Sequence, residues 1–129
     1  MDYFNTFALV IRYSTLYIML AKAAIEDLKI NYIDINTAFL NPIIKEEIYM
    51  APTKFLKQVF PKLKYKDIYL KLNKALYGLK QSPREWFLIV KEAFKRFGLR
   101  PAHSDLNLFI RNGVFLLLFI DNIMVIRKH

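Results

Sequence analysis

Two carboxylates stand in strongly apolar stretches of this 129-residue sequence. Asp34 lies between Ile33 and Ile35, and Asp121 follows the apolar run of residues 114–120. A carboxylate in such surroundings must be paired, hydrogen-bonded or bound to a cation, because desolvation of the charge is costly. If both acids lie at the same end of adjacent strands, their oxygens form a site for Mg²⁺, which suits phosphoryl or nucleotidyl transfer. The alternative is a pair of turn residues at strand ends, where Asp is common.

The other carboxylates, the absence of cysteine and the two histidines limit which further functional sites the chain could form. The other nine carboxylates stand among polar neighbours or on helix faces, where solvation is enough to explain them. The chain has no cysteine, which excludes disulfides and thiolate metal sites, and its two histidines, His103 and His129, are too far apart in sequence for a histidine cluster. The absence of cysteine favours an intracellular compartment, the cytoplasm or the nucleus.

A lysine-rich stretch, residues 54–80, is a second source of chemistry. It holds eight lysines and one acid, Asp67, and so contributes +7 of the net charge of +9. Tyrosines are interleaved with these lysines, a combination that suits phosphate contacts together with stacking of bases or sugars. The stretch leads into residues 78–83, whose loop and following helix N-terminus could present N–H groups to an anion. The alternative is a solvated lysine face over ordinary core tyrosines.

The helices that position these residues follow from sparse breakers, 3 Gly and 5 Pro. Ser14 as an N-cap and apolar residues at helical spacing predict a helix over residues 15–28. A second helix is predicted to begin with Ser82 as N-cap, a proline at the first helical position and an acid three residues after the cap. Gly98 ends this helix, and one apolar stripe along it indicates packing on a sheet.

Strands are predicted from β-branched and aromatic runs. Residues 30–35 form a strand ending near Asp34, and residues 48–50 and 68–72 form weaker ones. Turns at Asn112-Gly113 and Asp121-Asn122 separate three further antiparallel strands, over residues 106–110, 114–120 and 123–126. The predicted fold class is therefore α+β, an antiparallel sheet packed by two main helices, in preference to a parallel doubly wound sheet.

Length and composition exclude several classes of protein. A chain of 129 residues allows one domain, and 55% hydrophobic residues exclude a disordered basic tail. The most apolar stretch, residues 114–126, contains Asp121 and is shorter than the ~20 residues that a bilayer requires. Neither a membrane-spanning helix nor a membrane partner is expected.

Four blocks of the chain carry a more specific signal. Residues 33–41 read I-D-I-N-T-A-F-L-N, and residues 74–86 read K-A-L-Y-G-L-K-Q-S-P-R-E-W. Between them residues 46–50 read E-E-I-Y-M, and residues 118–123 read L-F-I-D-N-I. In this order, over nearly the whole chain, the blocks resemble the reverse transcriptase of copia-type LTR retrotransposons, whose usual forms include D-V-K-T-A-F-L-N-G, L-Y-G-L-K-Q-A-P-R-x-W and L-Y-V-D-D-I. Residues 2–8 also resemble the segment before the family's first block.

The resemblance implies an RNA-directed DNA polymerase with a palm-like fold and partial fingers, as a single incomplete domain over residues 1–129. Asp34 and Asp121, which are 87 residues apart, would converge with the main-chain carbonyl of Ile35 on two Mg²⁺ ions, or on Mn²⁺. One ion would activate the primer 3′-hydroxyl, and the other would neutralise the triphosphate. Asn122 occupies the remaining catalytic position of the family's turn.

The resemblance also implies the substrates, a primer-template of RNA or DNA and deoxynucleotides. Phe39 would lie under the sugar of the incoming nucleotide and exclude a 2′-hydroxyl, although packing in the core is an equally ordinary role for this ring. Gln81 would contact the nucleotide or the template. Nucleic acid would be bound by the basic residues Lys71, Lys74, Lys80 and Arg84.

Two departures from the family pattern lower the expected activity. Asn122 replaces the second Asp of the turn, so two acids must offset the +4 charge of two Mg²⁺, an expected loss on the order of 3 kcal/mol, or about a hundredfold in rate. Asn36 in place of a Lys is a milder change. The family's basic fingers segment would precede Met1, and its thumb and RNase H domain would follow His129. Weak or absent polymerase activity is therefore expected, and the alternatives are a non-catalytic nucleic-acid-binding module and a functionless retroelement remnant.

Overall fold

The computed structural model describes residues 10–129, apart from the side chain of Asp67. The block at residues 2–8 lies outside these described residues. The helices are α1 (Tyr13–Ile25), α2 (Lys54–Val59) and α3 (Ser82–Arg96), with short 3-10 helices at Ala38–Leu40 and Tyr65–Asp67. The strands are β1 (Lys29–Asp34), β2 (Tyr49–Met50), β3 (Leu70–Lys71), β4 (Arg100–Pro101), β5 (Leu108–Arg111), β6 (Val114–Phe119) and β7 (Asn122–Arg127).

Five of the strands form one antiparallel sheet in the order β1-β7-β6-β5-β4, while β2 and β3 pair separately. The predicted α+β class and the three consecutive antiparallel strands are confirmed. The sequence did not predict α2 or β4. Among residues 10–129, no helix combines the length and the apolarity needed to cross a bilayer.

The two long helices cover opposite faces of the five-stranded sheet. Successive side chains of a strand point to opposite faces, and β6 shows this directly. Leu116 and Leu118 are buried in one apolar cluster with α3, whereas Leu117 is buried in a second cluster with α1. The sheet is therefore the central layer, and each helix stabilises it by burying one of its faces.

Helix α1 begins and ends earlier than predicted. Ser14 lies inside the helix and is not its cap; Arg12 is the N-cap residue, and its own side chain makes no capping hydrogen bond. The chain leaves the helix through Asp27, whose φ of +50° lies in the left-handed region. Leu28 then turns back into the core, and its N–H donates to the carbonyl of Ala23 at 2.8 Å. The chain therefore leaves the helix and buries Leu28 instead of forming another helical turn.

Helix α3 has the predicted stop but a different start. Ser82 is the first helical residue, and its hydroxyl donates to the carbonyl oxygen of Leu76 at 2.6 Å. The predicted capping box at Ser82 is therefore wrong, because the serine hydroxyl is used to hold the preceding loop. At the other end, Gly98 adopts a φ of +76° and its N–H donates to the carbonyl of Lys95, so the predicted glycine stop is confirmed.

Asp105 is the acid that the sequence analysis misjudged. It is one of the nine carboxylates expected to be solvated, yet only 5% of its surface is exposed. Burial raises the pKa of the Asp105 carboxyl. Hydrogen bonds from the N–H groups of Arg12 and Asn107 and the hydroxyl of Thr15, together with the Arg12 charge, outweigh burial, and the pKa lies below its ordinary value. This carboxylate joins the start of α1 to the β4–β5 loop.

Replacement of Asp105 by Asn is expected to lower the free energy of unfolding by about 2 kcal/mol at pH 7, because hydrogen bonds to a buried charge are lost. A carboxyl group whose pKa is lower in the folded state than in the unfolded state stabilises the fold at pH values above its unfolded-state pKa. This stabilisation is lost as the pH falls through the folded-state pKa. The difference between wild type and Asp105→Asn should therefore shrink below about pH 4. Urea unfolding at several pH values measures it.

The control for this experiment is Asp27→Asn, a change at an exposed acid in a conformation that Asn tolerates. Its effect should be small at every pH. A stability difference for Asp105→Asn that stays constant from neutral to acidic pH would contradict the assigned charge state.

Candidate active site

The sheet register brings the two aspartates singled out in the sequence to one end of the sheet. Strands β1 and β7 are antiparallel neighbours, and Asp34 lies opposite Asn122. One residue further, the N–H of Ile35 donates to the carbonyl oxygen of Asp121 at 2.9 Å. Asp34 and Asp121, 87 residues apart in sequence, are therefore joined by neighbouring backbone pairings.

The turn that carries Asp121 differs by one residue from the predicted one. Phe119 pairs with Asn122, so the two turn residues are Ile120 and Asp121, and Asn122 is already in β7. Ile120 has a φ of +46°, which is strongly disfavoured for a β-branched side chain. The predicted Asp121-Asn122 turn is wrong because it assumed that the residues most tolerant of this conformation would occupy the turn.

A side chain from α3 compensates for this strained turn. The indole N–H of Trp86 donates to the carbonyl oxygen of Ile120 at 2.7 Å, and the Trp86 side chain is 5% exposed. The ring is packed in the apolar cluster between α3 and the sheet. Strained backbone persists where the surroundings over-determine it, and here a buried indole holds the residue next to Asp121.

The two acids have different surroundings. Asp34 is exposed at the end of β1, contrary to the apolar environment that its sequence neighbours suggested, whereas Asp121 is half-buried. The side-chain amide of Asn122 donates to Oδ1 of Asp121 at 3.1 Å. Within residues 10–129 there is no group of three or more His, Cys, Asp or Glu side chains placed to hold a metal ion. The donor set at this sheet end is thus two carboxylates, an amide and main-chain carbonyls.

The segment after β1 packs against the same core as the turn. Ala38 is fully buried in the α3 cluster, and Ile35 and Phe39 pack partly against it. The Phe39 ring meets the Tyr77 ring edge to face, with centroids 5.1 Å apart. Phe39 is half-buried, so it contributes to the core and also retains accessible surface. Both roles considered for this ring remain compatible with its position.

The loop before α3 runs beside the segment that follows the 3-10 helix. The N–H of Ala75 donates to the carbonyl oxygen of Pro42 at 2.9 Å, and Ile43 forms a bridge with Lys74. Gln81 is half-buried and immediately precedes α3. Backbone contacts therefore join the start of the block at residues 74–86 to the two residues that follow the block at residues 33–41.

The four basic residues assigned to nucleic acid, Lys71, Lys74, Lys80 and Arg84, are all exposed. Lys71 is paired with Glu47, which lies on the segment leading into β2. An ion pair between exposed side chains contributes little to stability, so Lys71 remains able to exchange this partner for a phosphate.

Sequence reasoning missed the role of Trp86. The residue was assigned to the apolar stripe of the second helix, which is correct for its ring, but the stripe says nothing about the indole N–H. A buried tryptophan N–H usually finds an acceptor. That rule was the signal in the sequence for a hydrogen bond from Trp86, the single tryptophan of the chain. The rule does not identify the acceptor.

The family described as reverse transcriptase (RNA-dependent DNA polymerase) matches residues 1–129. The chain is 32% identical over 130 residues to the retrovirus-related Pol polyproteins from transposons RE2 and RE1 of Arabidopsis thaliana, in alignments that cover 97% of the chain but 9% and 8% of those polyproteins. It is also 32% identical over 132 residues to the Pol polyprotein from transposon TNT 1-94 of Nicotiana tabacum, covering 98% of the chain and 10% of that relative.

These alignments show that the chain spans about a tenth of the length of the relatives it matches. No solved structure matches it significantly. The family match over the whole chain and the identity to three transposon polyproteins agree with the resemblance found in the sequence blocks. The chain belongs to the reverse transcriptase family, and it is similar to a part of the Pol polyproteins of copia-type retrotransposons.

Proposed function

We propose that this chain is the palm portion of an RNA-directed DNA polymerase, with part of the fingers, as one incomplete domain, and that its polymerase activity is impaired. Reverse transcriptases in general use divalent metals, a nucleic acid template and nucleotide substrates. The observation that supports the proposal most directly is the register of β1 against β7, which sets Asp34 beside the turn that carries Asp121. Nothing local in the sequence requires those two residues to meet.

The oxygen ligands at this end of the sheet suit a divalent cation only in part. Carboxylate oxygens of Asp34 and Asp121 and the carbonyl oxygen of Ile35 are the hard ligands that Mg²⁺ prefers, so these three residues would hold it. When bound there, a divalent cation would supply Lewis acidity toward a primer 3′-hydroxyl and positive charge opposite the leaving pyrophosphate. For a second cation the third carboxylate is missing. Asn122 instead directs an N–H group at the Asp121 carboxylate.

The protein side chains supply the rest of the proposed site. Phe39, which follows β1 in sequence, keeps accessible surface and packs edge to face on Tyr77, and it is proposed to contact the sugar of the nucleotide. Gln81, just before α3, is proposed to contact the nucleotide or template. Lys74, Lys80 and Arg84, with Lys71 after release from Glu47, are proposed to bind phosphates of the primer-template.

A second candidate is a nucleic-acid-binding module without turnover. The hydrogen bond from Asn122 to Asp121 favours it, because this contact satisfies part of the carboxylate without a cation. The basic residues would then bind nucleic acid while the sheet end remains inactive. The two candidates differ in one measurable property, which is template-dependent incorporation of deoxynucleotides.

Primer extension with Mg²⁺ or Mn²⁺ tests the proposal. Weak incorporation that depends on the template is expected for the chain, and Asp34→Asn should abolish it, because one of only two carboxylates is neutralised. Asp27→Asn, an equivalent change at an exposed acid outside the site, should leave it intact. Incorporation that survives Asp34→Asn would overturn the proposed site. Salt-dependent binding without incorporation would favour the binding module.

A further inference from the structure

Helix α1 has exposed apolar side chains in addition to those that it packs against the sheet. Met19 and Ala23 are buried in the cluster with Leu117. The exposed residues of the helix belong to neither core cluster of the described residues, 10–129. These exposed residues form the outer face of α1: Tyr13, Ser14, Tyr17, Ile18, Ala21, Ala24 and Ile25.

The outer face of α1 carries no charge. Ile25 is 82% exposed and Ile18 is 67% exposed. Lys22 is the one charged residue of the helix. Its ammonium group pairs with Glu26 and lies 5.6 Å from the centre of the Phe115 ring, which belongs to the sheet. A helix that is apolar on all sides is normally buried, so the outer face is expected to be covered by a partner.

Four residues of the outer face have the spacing of a coiled-coil seam. Successive members are separated by four, three and four positions, which places them in one line along the helix. This spacing reads the same from either end of the helix. If two α1 helices pair antiparallel along the seam, Ile18 lies opposite the partner's Ala21, and Ser14 lies opposite the partner's Ile25. Each large side chain then meets a small one, which lets the two helices pack closely.

The same register brings opposite charges together at both ends of the helix. Arg12 precedes α1, Asp27 follows it, and both are exposed. Neither forms an ion pair within residues 10–129. In the antiparallel register Arg12 comes to the level of the partner's Asp27 and of the negative end of the partner's helix dipole. Exposed pairs of this kind add little affinity, but they favour the antiparallel orientation over a parallel one, which would set two Arg12 side chains side by side.

We propose that two copies of the chain associate through the outer faces of their α1 helices, antiparallel about a two-fold axis. The self-complementary spacing and charges select a second copy of this chain as the partner, and each contact occurs twice. The exposed fractions of Tyr13, Tyr17, Ile18 and Ile25 correspond to roughly 600 Å² per copy, at about 200 Å² for a large side chain. Their burial reaches the lower limit of about 1,200 Å² in total for a specific interface. A dimer that forms at micromolar concentration is therefore expected.

A lipid surface fits the outer face less well than a second copy does. Helices that lie on a bilayer combine an apolar face with a strongly charged face that is rich in Lys and Arg. Lys22 is the one basic residue of α1, and Glu26 already pairs with it. The helix therefore lacks the charged face that would hold it at an anionic membrane.

Sedimentation equilibrium of the full chain at several concentrations tests the dimer. The wild type should associate reversibly from monomer to dimer. Ile18→Glu should raise the Kd at least about a hundredfold, because it buries a charge opposite the partner's Ala21 at two symmetric places. Since Ile18 is exposed in the single chain, circular dichroism and urea unfolding of the variant should match those of the wild type.

Tyr32→Glu is the matched control for Ile18→Glu. Tyr32 is 62% exposed on β1, the strand at one edge of the sheet, so the substitution introduces the same charge at an exposed side chain outside α1. Edge strands are another route to association, and this variant should leave the Kd unchanged. A dimer that is lost in Tyr32→Glu and kept in Ile18→Glu would overturn the proposal and assign the interface to the sheet edge.

Cysteine cross-linking tests the antiparallel register, since the chain has no cysteine of its own. Ser14→Cys and Ile25→Cys, mixed under mild oxidation, should form a disulfide-linked dimer that contains one copy of each variant. Either variant alone should link poorly. Two copies of the same cysteine would lie about 16 Å apart along the antiparallel interface, at 1.5 Å per residue, whereas a disulfide requires Cα atoms within about 7 Å of each other.

Three further results would overturn the proposal. The first is a wild-type chain that stays monomeric at every concentration at which it is soluble. The second is Ser14→Cys linking to itself as readily as to Ile25→Cys. The third is binding of the monomer to phosphatidylserine vesicles that Ile18→Glu removes, which would assign the outer face to a lipid surface. Asp34→Asn should leave the Kd of the dimer unchanged, so the dimer and the proposed polymerase site are tested independently.

Discussion

Asn122→Asp should raise template-dependent primer extension about a hundredfold, the scale of one strong electrostatic contribution to a transition state. The substitution changes two things at once. It removes the N–H group that now donates to Oδ1 of Asp121, and it adds a third carboxylate at the end of β1 and β7. Both changes favour divalent cations at this sheet end.

The same variant should also become dependent on cations for stability. Three carboxylates close together repel one another, so the free energy of unfolding without a divalent ion should fall below that of the wild type. Bound Mg²⁺ should restore it, by about 2.7 kcal/mol when the ion is a hundred times above its Kd. The wild type should respond much less, because the Asn122 amide already satisfies part of Asp121. Thermal unfolding with and without Mg²⁺ measures this difference.

Asn112→Asp provides the control for Asn122→Asp. Asn112 lies in the exposed turn between β5 and β6, so the substitution adds the same charge at a hairpin turn away from Asp34. It should change neither primer extension nor the response to Mg²⁺. If Asn122→Asp behaved like this control in both measurements, the sheet end would not be a cation site.

The second large effect is expected at Trp86. Trp86→Ala should lower the free energy of unfolding by about 3 to 5 kcal/mol, the usual cost of deleting a buried aromatic ring. Trp86→Phe keeps most of the packing and removes only the indole N–H, leaving the Ile120 carbonyl without its donor. Its cost should be about 1 to 3 kcal/mol. Urea unfolding followed by circular dichroism is suitable, because Trp86 is the only tryptophan.

The location of the Trp86 effect separates a role in the turn from a general role in the core. Trp86→Phe should speed hydrogen exchange at the N–H groups of Ile35 and Asn122, next to the turn. Phe94→Leu is the control, since Phe94 is buried in the same cluster and packs edge to face on Phe109 at 4.9 Å. It should lower stability without a selective effect at those amides. Equal exchange rates in the two variants would contradict the assigned role of Trp86.

Two turns of the sheet show how far sequence reasoning reaches. The turn at Asn112-Gly113 was predicted and is confirmed, with φ of +45° and +77°. Its backbone needs positive φ at both positions, and Asn and Gly adopt such values at low cost. The turn at Ile120-Asp121 was misplaced by one residue, because an isoleucine at φ +46° contradicts local preference. The strain at this turn is compensated by the hydrogen bond from the indole N–H of Trp86, which lies 34 residues away in sequence.

Two aspartates, Asp105 outside the candidate site and Asp34 within it, show the same limit. Asp105 has polar neighbours in sequence, and nothing there indicates that Arg12, 93 residues earlier, would donate to it. Asp34 has isoleucines on both sides, but β1 is an edge strand and leaves it exposed. Whether a side chain is buried depends on which strands become neighbours in the sheet. The neighbours of a residue in sequence indicate only which side chains alternate between the two faces of one strand.

The sequence by itself determined the family, the α+β class and the two carboxylates on which any metal chemistry depends. Those conclusions rest on short blocks, turn residues and periodicity, all of which are local. The tertiary structure alone decided that Asp34 lies beside the turn of Asp121, that Asn122 directs its amide at that acid, and that Trp86 supports the turn. Strands β5, β6 and β7 bury residues of both sheet faces under α1 and α3, whereas β1 is exposed at all six positions and is held by its pairing with β7. Both conditions depend on elements that are distant in sequence, so neither can be read from a single segment.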